Sequence, residues 1–213
     1  MSTTTNPDPD ASAPAFIPLE ANPQLLTALI HRLGVSPALQ FHDVYSLTEP
    51  ELLAFIPRPA LALLLVFPVS AVYESQRMAE DSLADEYGGT AEGSILDDLI
   101  KKSIPLPPAQ RSALLEKTPA LADAHKAAAT EGDTPAPDAQ DDVDLHYVCF
   151  VKGKDGGLWE LDGRRKGPIR RGDLNKDEDV LSEKGLSLGA LKFLEREGGD
   201  LRFSAVALAG TLD

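Results

Sequence analysis

An unbroken run of apolar residues, Ala60 to Phe67, lies between Pro59 and Pro68. Proline lacks a backbone N–H and occurs at the ends and edges of sheets, so this run has the length and the borders of one strand. Because every position is apolar, both faces of that strand must be covered. The chain is therefore expected to build a sheet around this strand and to pack other elements against both sides.

Two segments in the second half of the chain predict a hairpin. They are Leu145 to Val151 and Leu158 to Leu161, and the Asp155-Gly156 pair between them is a strong turn signal. A short strand near Phe41 to Tyr45 and a closing strand over Leu201 to Ala209 are also predicted.

Capping residues and apolar spacing predict the helices. Asn22-Pro23 starts an amphipathic helix that runs to Gly34, and Thr48 caps a brief helix that Pro57 stops. Further helices are predicted after the cap Ser94, from about 108 to 129 with a kink or division at Pro119, and from 186 to 197 with Gly198-Gly199 as the stop.

Composition limits the class of protein. The first 15 residues are rich in Thr, Pro, Asp and Ser and are expected to form a disordered leader, followed by one domain over residues 16–213. A single cysteine excludes a disulfide framework, and no secretory signal is visible, so we expect a protein of the cytoplasm, with the nucleus as an additional location. The net charge of −14 argues against nucleic acid or an anionic membrane as the main partner.

His146 and Asp162 are the candidate catalytic residues, one on each strand of the predicted hairpin. A histidine general base needs a carboxylate on its second ring nitrogen, which fixes the tautomer and stabilises the imidazolium. The alternatives are a core histidine bonded to a backbone carbonyl, and an Asp162-Gly163 pair that serves only the turn.

The only cysteine, Cys149, does not complete this pair. Side chains alternate along a strand, so positions 146 and 149 face opposite sides of the sheet, and Cys149 is interpreted as a small buried hydrophobe. The other histidines, His31, His42 and His125, have no metal-ligand spacing and are interpreted as surface or helix-end residues. The basic groups are interpreted as solvated turn charges, with an acidic patch on a partner as the alternative: Lys152, Lys154, 164–166 and 170–171.

Five short sequence motifs together resemble those of the ubiquitin C-terminal hydrolases, which are papain-like cysteine proteases that remove small adducts from the carboxyl end of ubiquitin. The motifs are Leu19-Glu-Ala-Asn-Pro23, Phe41-His-Asp-Val-Tyr-Ser-Leu47, 56–68, Asp144-Leu-His-Tyr-Val148 and Glu160-Leu-Asp-Gly-Arg164. The resemblance implies an α/β fold, with a mostly antiparallel central sheet and helices on both faces. It also implies Cys-His-Asp catalysis with His146 as base and Asp162 as its orienting group, no cofactor, ubiquitin or a ubiquitin-like protein as partner, and a monomer.

The resemblance breaks near Thr90. The family carries there a glutamine for the oxyanion and then the nucleophilic cysteine at the start of a buried helix, whereas this chain continues directly into Ala91 to Ile100. The implied fold is thus incomplete and the chain as written is expected to be inactive. Two alternatives stay open: a non-catalytic ubiquitin-binding module, and a mis-spliced or mis-predicted product without a role of its own.

Overall fold

The computed structural model describes residues 16–68, 94–132, 145–196 and 203–212. Within them, six strands form one sheet. In chain order the strands are β1 Leu39–Asp43, β2 Ala62–Pro68, β3 Leu145–Lys152, β4 Gly157–Asp162, β5 Ile169–Asp173 and β6 Ser204–Gly210. Their order across the sheet is β1-β6-β2-β3-β4-β5, and each neighbouring pair is antiparallel. The predicted α/β fold around a mostly antiparallel sheet is confirmed.

The apolar run forms β2, which is hydrogen-bonded to β6 on one side and to β3 on the other. The strand starts two residues later and ends one residue later than predicted. The hairpin of β3 and β4 and the closing strand β6 are also present, although residues 201 and 202 of the predicted closing strand lie outside the described residues. Strand β5 was not predicted, because Gly167-Pro168 precede it and arginine and glycine occupy its middle.

Helix α1, Pro23–Arg32, begins as its sequence predicts. The Asn22 side chain accepts hydrogen bonds from the backbone N–H groups of Gln24, at 3.0 Å, and Leu25, at 3.3 Å. After the helix, Gly34 has a φ of 96°, a left-handed conformation that favours glycine.

Helix α2, Pro50–Leu53, is a single turn, and the prediction that Thr48 caps it was wrong. Glu49 is the capping residue, and its side chain makes no capping bond. The hydroxyl of Ser46 instead accepts the N–H groups of Thr48, at 3.1 Å, and Glu49, at 3.0 Å. Pro50 takes the first helical position, so the helix begins two residues after Thr48, with Glu49 between them.

Residues 94–132 form three helices: α3 Ile95–Ser103, α4 Pro108–Glu116 and α5 Pro119–Thr130. The Ser94 side chain caps α3 by accepting the N–H of Asp97 at 3.0 Å, as predicted. Pro119 divides the predicted long helix into α4 and α5 because a proline inside a helix removes a hydrogen bond and clashes with the preceding turn.

The single helix predicted from 186 to 197 is two helices, α6 Glu183–Leu188 and α7 Ala190–Arg196. Gly189 separates them with a non-helical backbone, φ −112° and ψ −101°. A Cβ atom at this position would lie 2.9 Å from the Phe150 ring, so the close approach of the chain to β3 requires glycine here. The predicted stop, Gly198-Gly199, lies outside the described residues.

Alternation along β2 and β3 divides the sheet into two faces. The core face carries Phe67, Val148 and Phe150, and packs against apolar side chains of α6 and α7, namely Leu186, Ala190 and Phe193. The opposite face carries Tyr147 and Cys149. The Tyr147 hydroxyl donates to the Leu19 carbonyl at 2.6 Å on that side, and α1 packs against β1.

Candidate active site

His146 and Asp162 meet at one end of the β3–β4 hairpin, on the core face. Asp162 is paired across the strands with Val148, two residues after His146, so the two side chains share a face and are diagonal neighbours. The Nε2 atom of His146 lies 2.7 Å from Oδ1 of Asp162, which is the predicted hydrogen bond. The aspartate side chain is fully shielded from solvent, whereas 13% of the histidine side chain is exposed. The imidazole therefore stands between a buried carboxylate and the surface.

Asp162 also forms the turn that follows β4. Its Oδ1 atom accepts the backbone N–H of Arg164 at 2.9 Å, and its own carbonyl accepts the N–H of Arg165 at 3.0 Å. Turn formation and contact with His146 were alternative interpretations of this residue, but one carboxylate oxygen serves both. The turn fixes the carboxylate in the position from which it contacts the imidazole.

The hydrogen bond assigns roles to the two nitrogens of the His146 ring. A carboxylate only accepts, so Nε2 carries the hydrogen and Nδ1 is the nitrogen that is basic in the neutral ring. The Phe67 ring stands edge-on to the imidazole, with centroids 5.9 Å apart and an interplanar angle of 85°. An imidazole held by an aromatic edge and a carboxylate has the geometry of an oriented general base.

Cys149 lies on the opposite face, as the alternation of β3 predicts. Its neighbours across the two adjacent strands are Leu64 and Leu161, and its Sγ atom is 4.0 Å from the Phe150 carbonyl oxygen. Burial raises the pKa of the Cys149 thiol to about 11. A thiol that faces away from the base and ionises only in strong alkali does not have the properties of a nucleophile.

Two basic residues interpreted as solvated turn charges are buried beside the pair, and that interpretation was wrong for them. The Arg165 side chain is 1% exposed and the Arg171 side chain 10% exposed. Arg165 Nε donates to Oε1 of Glu160 at 2.9 Å and lies 3.3 Å from Oδ2 of Asp162. Arg171 Nε donates to the other oxygen of Glu160 at 2.6 Å. Burial is tolerated because each guanidinium has a carboxylate partner.

The sequence held a signal for this cluster in Glu160. Glu160 precedes Asp162 by two residues and therefore lies on the same, core face of the sheet. Its cross-strand partner on β3 is the buried Phe150. A glutamate at a core position needs cationic partners, and arginines occur shortly after it in the chain. Lys152 is also not a free turn charge, because its Nζ atom donates to the carbonyls of Asn175 and Glu178, each at 2.5 Å.

The other histidines make structural contacts with backbone carbonyls or with an aromatic ring. His31, at the end of α1 as predicted, has Nε2 2.7 Å from the Leu39 carbonyl oxygen. His42 was predicted to be a surface or helix-end residue but is buried in β1, with Nε2 2.8 Å from the Gly210 carbonyl oxygen. His125 lies within α5 against the Phe16 ring, and burial lowers its pKa.

Comparison with known proteins identifies the family. The sequence model described as ubiquitin carboxyl-terminal hydrolase, family 1, matches residues 16–90 and 82–187. The chain belongs to this family. Ubiquitin carboxyl-terminal hydrolase isozyme L1 of Monodelphis domestica is 36% identical over 223 residues, which covers 90% of this chain and 96% of the relative. The human isozyme L1 is 33% identical with the same coverage, and a ubiquitin carboxyl-terminal hydrolase of Drosophila melanogaster is 32% identical.

A solved structure shares the fold. The catalytic domain of Trichinella spiralis UCH37, bound to ubiquitin vinyl methyl ester, superposes with a TM-score of 0.68 at 18% identity. The superposition covers 95% of this chain and 100% of the other. The fold predicted from the five short sequence motifs is therefore that of the ubiquitin C-terminal hydrolases. In the part of the chain that the structure describes, no helix has the length and apolar character needed to cross a membrane.

Proposed function

We propose that this chain is a ubiquitin C-terminal hydrolase domain in which the general base, His146, and its orienting carboxylate, Asp162, are in place. The observation that carries the proposal is the 2.7 Å bond between His146 Nε2 and a fully buried Asp162 carboxylate. In thiol-dependent hydrolysis, Nδ1 of such a base takes the proton of a cysteine nucleophile and later gives it to the leaving group. The carboxylate stabilises the imidazolium between these two steps.

The nucleophile belongs, in this proposal, to a segment that relatives carry near position 90 and that this sequence lacks. One support is the alignment with the Monodelphis relative, which extends over 223 residues, whereas the whole chain has 213 and only 90% of it is covered. The relative thus has residues without counterparts here. A second support is the family match, which comes in two pieces that overlap at residues 82–90. This junction lies outside the described residues.

The chain as written then recognises ubiquitin, or a ubiquitin-like protein, and does not cut it. The described sheet and helices keep the fold of a hydrolase that has been solved in complex with a ubiquitin derivative. The only thiol faces away from His146, and its pKa of about 11 leaves it protonated at neutral pH. The net charge of −14 suits a basic partner segment such as the carboxyl-terminal tail of ubiquitin.

Covalent labelling by ubiquitin vinyl methyl ester tests the proposal. The chain as written should not be labelled, whereas a variant with a family segment inserted between Thr90 and Ala91 should be. In that restored protein, His146→Ala should abolish hydrolysis of a ubiquitin C-terminal ester or amide, and Cys149→Ser should leave it unchanged. Labelling of the unrestored chain that is lost in Cys149→Ser would overturn the proposal and identify Cys149 as the nucleophile.

The coding sequence separates the remaining alternatives. A genomic frame between the codons for Tyr87 and Ser94 that encodes an Asn-Ala-Cys-Gly word, preceded by the oxyanion glutamine, identifies a hydrolase whose gene model lost a segment. Uninterrupted coding in independent transcripts, together with ubiquitin binding in a calorimetric titration, identifies a binding module. Uninterrupted coding without binding identifies a product that has lost its role.

The proposal includes a monomer without nucleic acid as a partner, located in the cytoplasm and in the nucleus. Size-exclusion chromatography with light scattering tests the monomer against the chain mass of 22.8 kDa. Microscopy of the tagged full chain tests the location.

A further inference from the structure

A cleft of about 910 Å³ lies between the segment around α2 and the helices α6 and α7. Most of its lining is aliphatic. Ile56, Leu181 and Leu186 are at most 3% exposed and belong to the main core. Leu53 and Leu191 are partly buried and pack against that core. Ligand sites in proteins are mostly apolar, with volumes of roughly 300–1,000 Å³, so this α2–α6 cleft has the size and the lining of a binding site.

The apolar surface continues outside the α2–α6 cleft. Phe55, which lies between the lining residues Ala54 and Ile56, is 68% exposed, and Leu52 is 36% exposed. Nine large apolar residues are exposed within the part of the chain that the structure describes, and four of them lie between positions 45 and 61. Exposed apolar residues that are concentrated beside a cleft are typical of a surface that binds another molecule.

Carboxylates border this apolar surface. Glu183 lines the cleft, and Glu49 and Glu51 stand on either side of the lining residue Pro50. All three glutamates are exposed, and none of them forms an ion pair with another described residue. Their charges are therefore available to a ligand.

The cations beside the α2–α6 cleft are mostly engaged elsewhere. Arg58 lines the cleft but is paired with the buried carboxylate of Asp179. The ammonium of Lys184 lies 3.7 Å from a carboxylate oxygen of Glu178. Lys192 on α7 is the remaining cation next to a lining residue. Three unpaired carboxylates thus stand against one unpaired ammonium, and this excess of negative charge favours a cationic ligand.

The α2–α6 cleft and the candidate active site lie at opposite ends of β2. The lining residues Ile56 and Arg58 precede this strand, whereas Phe67, near its end, is paired with His146 on β3. A strand of this length spans roughly 20 Å. A molecule bound in the cleft would therefore leave the His146–Asp162 pair uncovered.

We propose that the α2–α6 cleft is a docking site for a short segment of a partner protein that carries large apolar side chains together with an arginine or a lysine. One apolar side chain fills the space over Ile56 and Leu186, a second covers the ring of Phe55, and the cation pairs with Glu183. A peptide segment fits better than a compact small molecule because the apolar surface extends from the enclosed cleft to the open side of α2. This role goes beyond the proposed function and does not rest on it.

Selection from a random dodecapeptide library displayed on phage tests the docking site. The library is selected on the full chain and depleted on Ala54→Trp, in which an indole at an exposed lining position blocks the cleft without entering the core. The surviving peptides should be enriched in large apolar residues together with Arg or Lys. In solution their affinity for Ala54→Trp should be at least about tenfold weaker than for the parent chain. Ala109→Trp, at an exposed position of α4, is the matched control and should bind like the parent.

Glu183→Gln tests the charge of the partner segment. Loss of one exposed ion pair should weaken peptide binding by about two- to fivefold. Asp98→Asn is the matched control, because Asp98 is an exposed carboxylate in the first turn of α3 as Glu183 is in the first turn of α6, and it should leave the affinity unchanged. A role of Glu183 confined to the start of α6 would change unfolding but not the affinity for the peptides.

Four outcomes would overturn the proposal. No peptide survives depletion, the survivors lack a cation or bind Glu183→Gln as tightly as the parent, ubiquitin displaces them, or the chain alone forms dimers that Ala54→Trp abolishes in light scattering. The last result would make a second copy of the chain the occupant. If Ala54→Trp does not fold, as judged by its amide spectrum, Phe55→Ala replaces it and should weaken the peptides by about fivefold or more.

The docking site and the proposed function can fail separately. In the chain restored with a family segment, Ala54→Trp should leave labelling by ubiquitin vinyl methyl ester unchanged, because the cleft lies away from His146. A restored chain that is not labelled, but whose parent binds the selected peptides in the α2–α6 cleft, would keep the docking site and lose the assignment as a hydrolase.

Discussion

Cys149 should react with a thiol reagent much more slowly in the folded chain than in the unfolded chain. Burial raises the pKa of this thiol from its ordinary value of 9.0 to about 11, which lowers the thiolate fraction at neutral pH by about 100-fold. Thiolates of higher pKa are more nucleophilic, and this returns roughly a factor of ten. Ionisation alone should therefore slow the reaction by about tenfold, and the partly enclosed position of the sulfur adds to this.

The assay is alkylation by iodoacetamide at pH 7.5, followed by mass spectrometry, in buffer and in denaturing urea. The rate in the folded chain should still be rising above pH 10, whereas that in the unfolded chain should level off near pH 9 to 10. Cys149→Ser is the control and should take up no reagent. A folded-state rate equal to the unfolded one, or a plateau below pH 8, would refute the view that the opposite face of β3 keeps this thiol inert.

Three further predictions concern stability, measured by urea and thermal unfolding. Phe67→Ala should lower the free energy of unfolding by about 3–5 kcal/mol because Phe67 has no exposed surface, whereas Phe55→Ala, at a position 68% exposed, should change it by less than about 1 kcal/mol. Asp179→Ala should lower the free energy of unfolding by about 2–5 kcal/mol, since the residue is 5% exposed and its carboxylate accepts bonds from the Arg58 side chain and the Ala60 N–H. The exposed Asp177→Ala is its control; equal effects of the two would contradict the assignment. If the chain lacks a helix that relatives pack against the sheet, its thermal midpoint should fall below about 60 °C, and a cooperative transition above that temperature would count against the loss.

The hairpin and the pair it carries could be predicted from the sequence because both depend on short-range geometry. Alternation decides which side chains share a face, and the Asp155-Gly156 turn decides where β3 folds back onto β4. Given these two constraints, His146 and Asp162 can lie on the same side and Cys149 cannot join them. The 2.7 Å bond follows from pairing and alternation together.

The parts that escaped prediction depend on contacts distant in sequence. Strand β5 has one buried apolar residue, Ile169, and exists because β4 offers it an edge to pair with. The break at Gly189 is set by the Phe150 ring, 39 residues earlier in the chain. Arg165 and Arg171 are buried because they pair with the buried Glu160. The local sequence around the two arginines is rich in glycine and charged residues, and by itself it indicates only an exposed turn.

The position of β6 has a consequence for synthesis. This strand follows all the others in the chain, yet it lies between β1 and β2 in the sheet. Until β6 has been synthesised, β1 and β2 each present an unpaired edge. The strongly apolar β2 is the more prone of the two to pair with strands of other chains. The place between β1 and β2 stays unoccupied until β6 has been synthesised. A stalled or truncated product would therefore expose the unpaired edges of β1 and β2, which can associate with other chains.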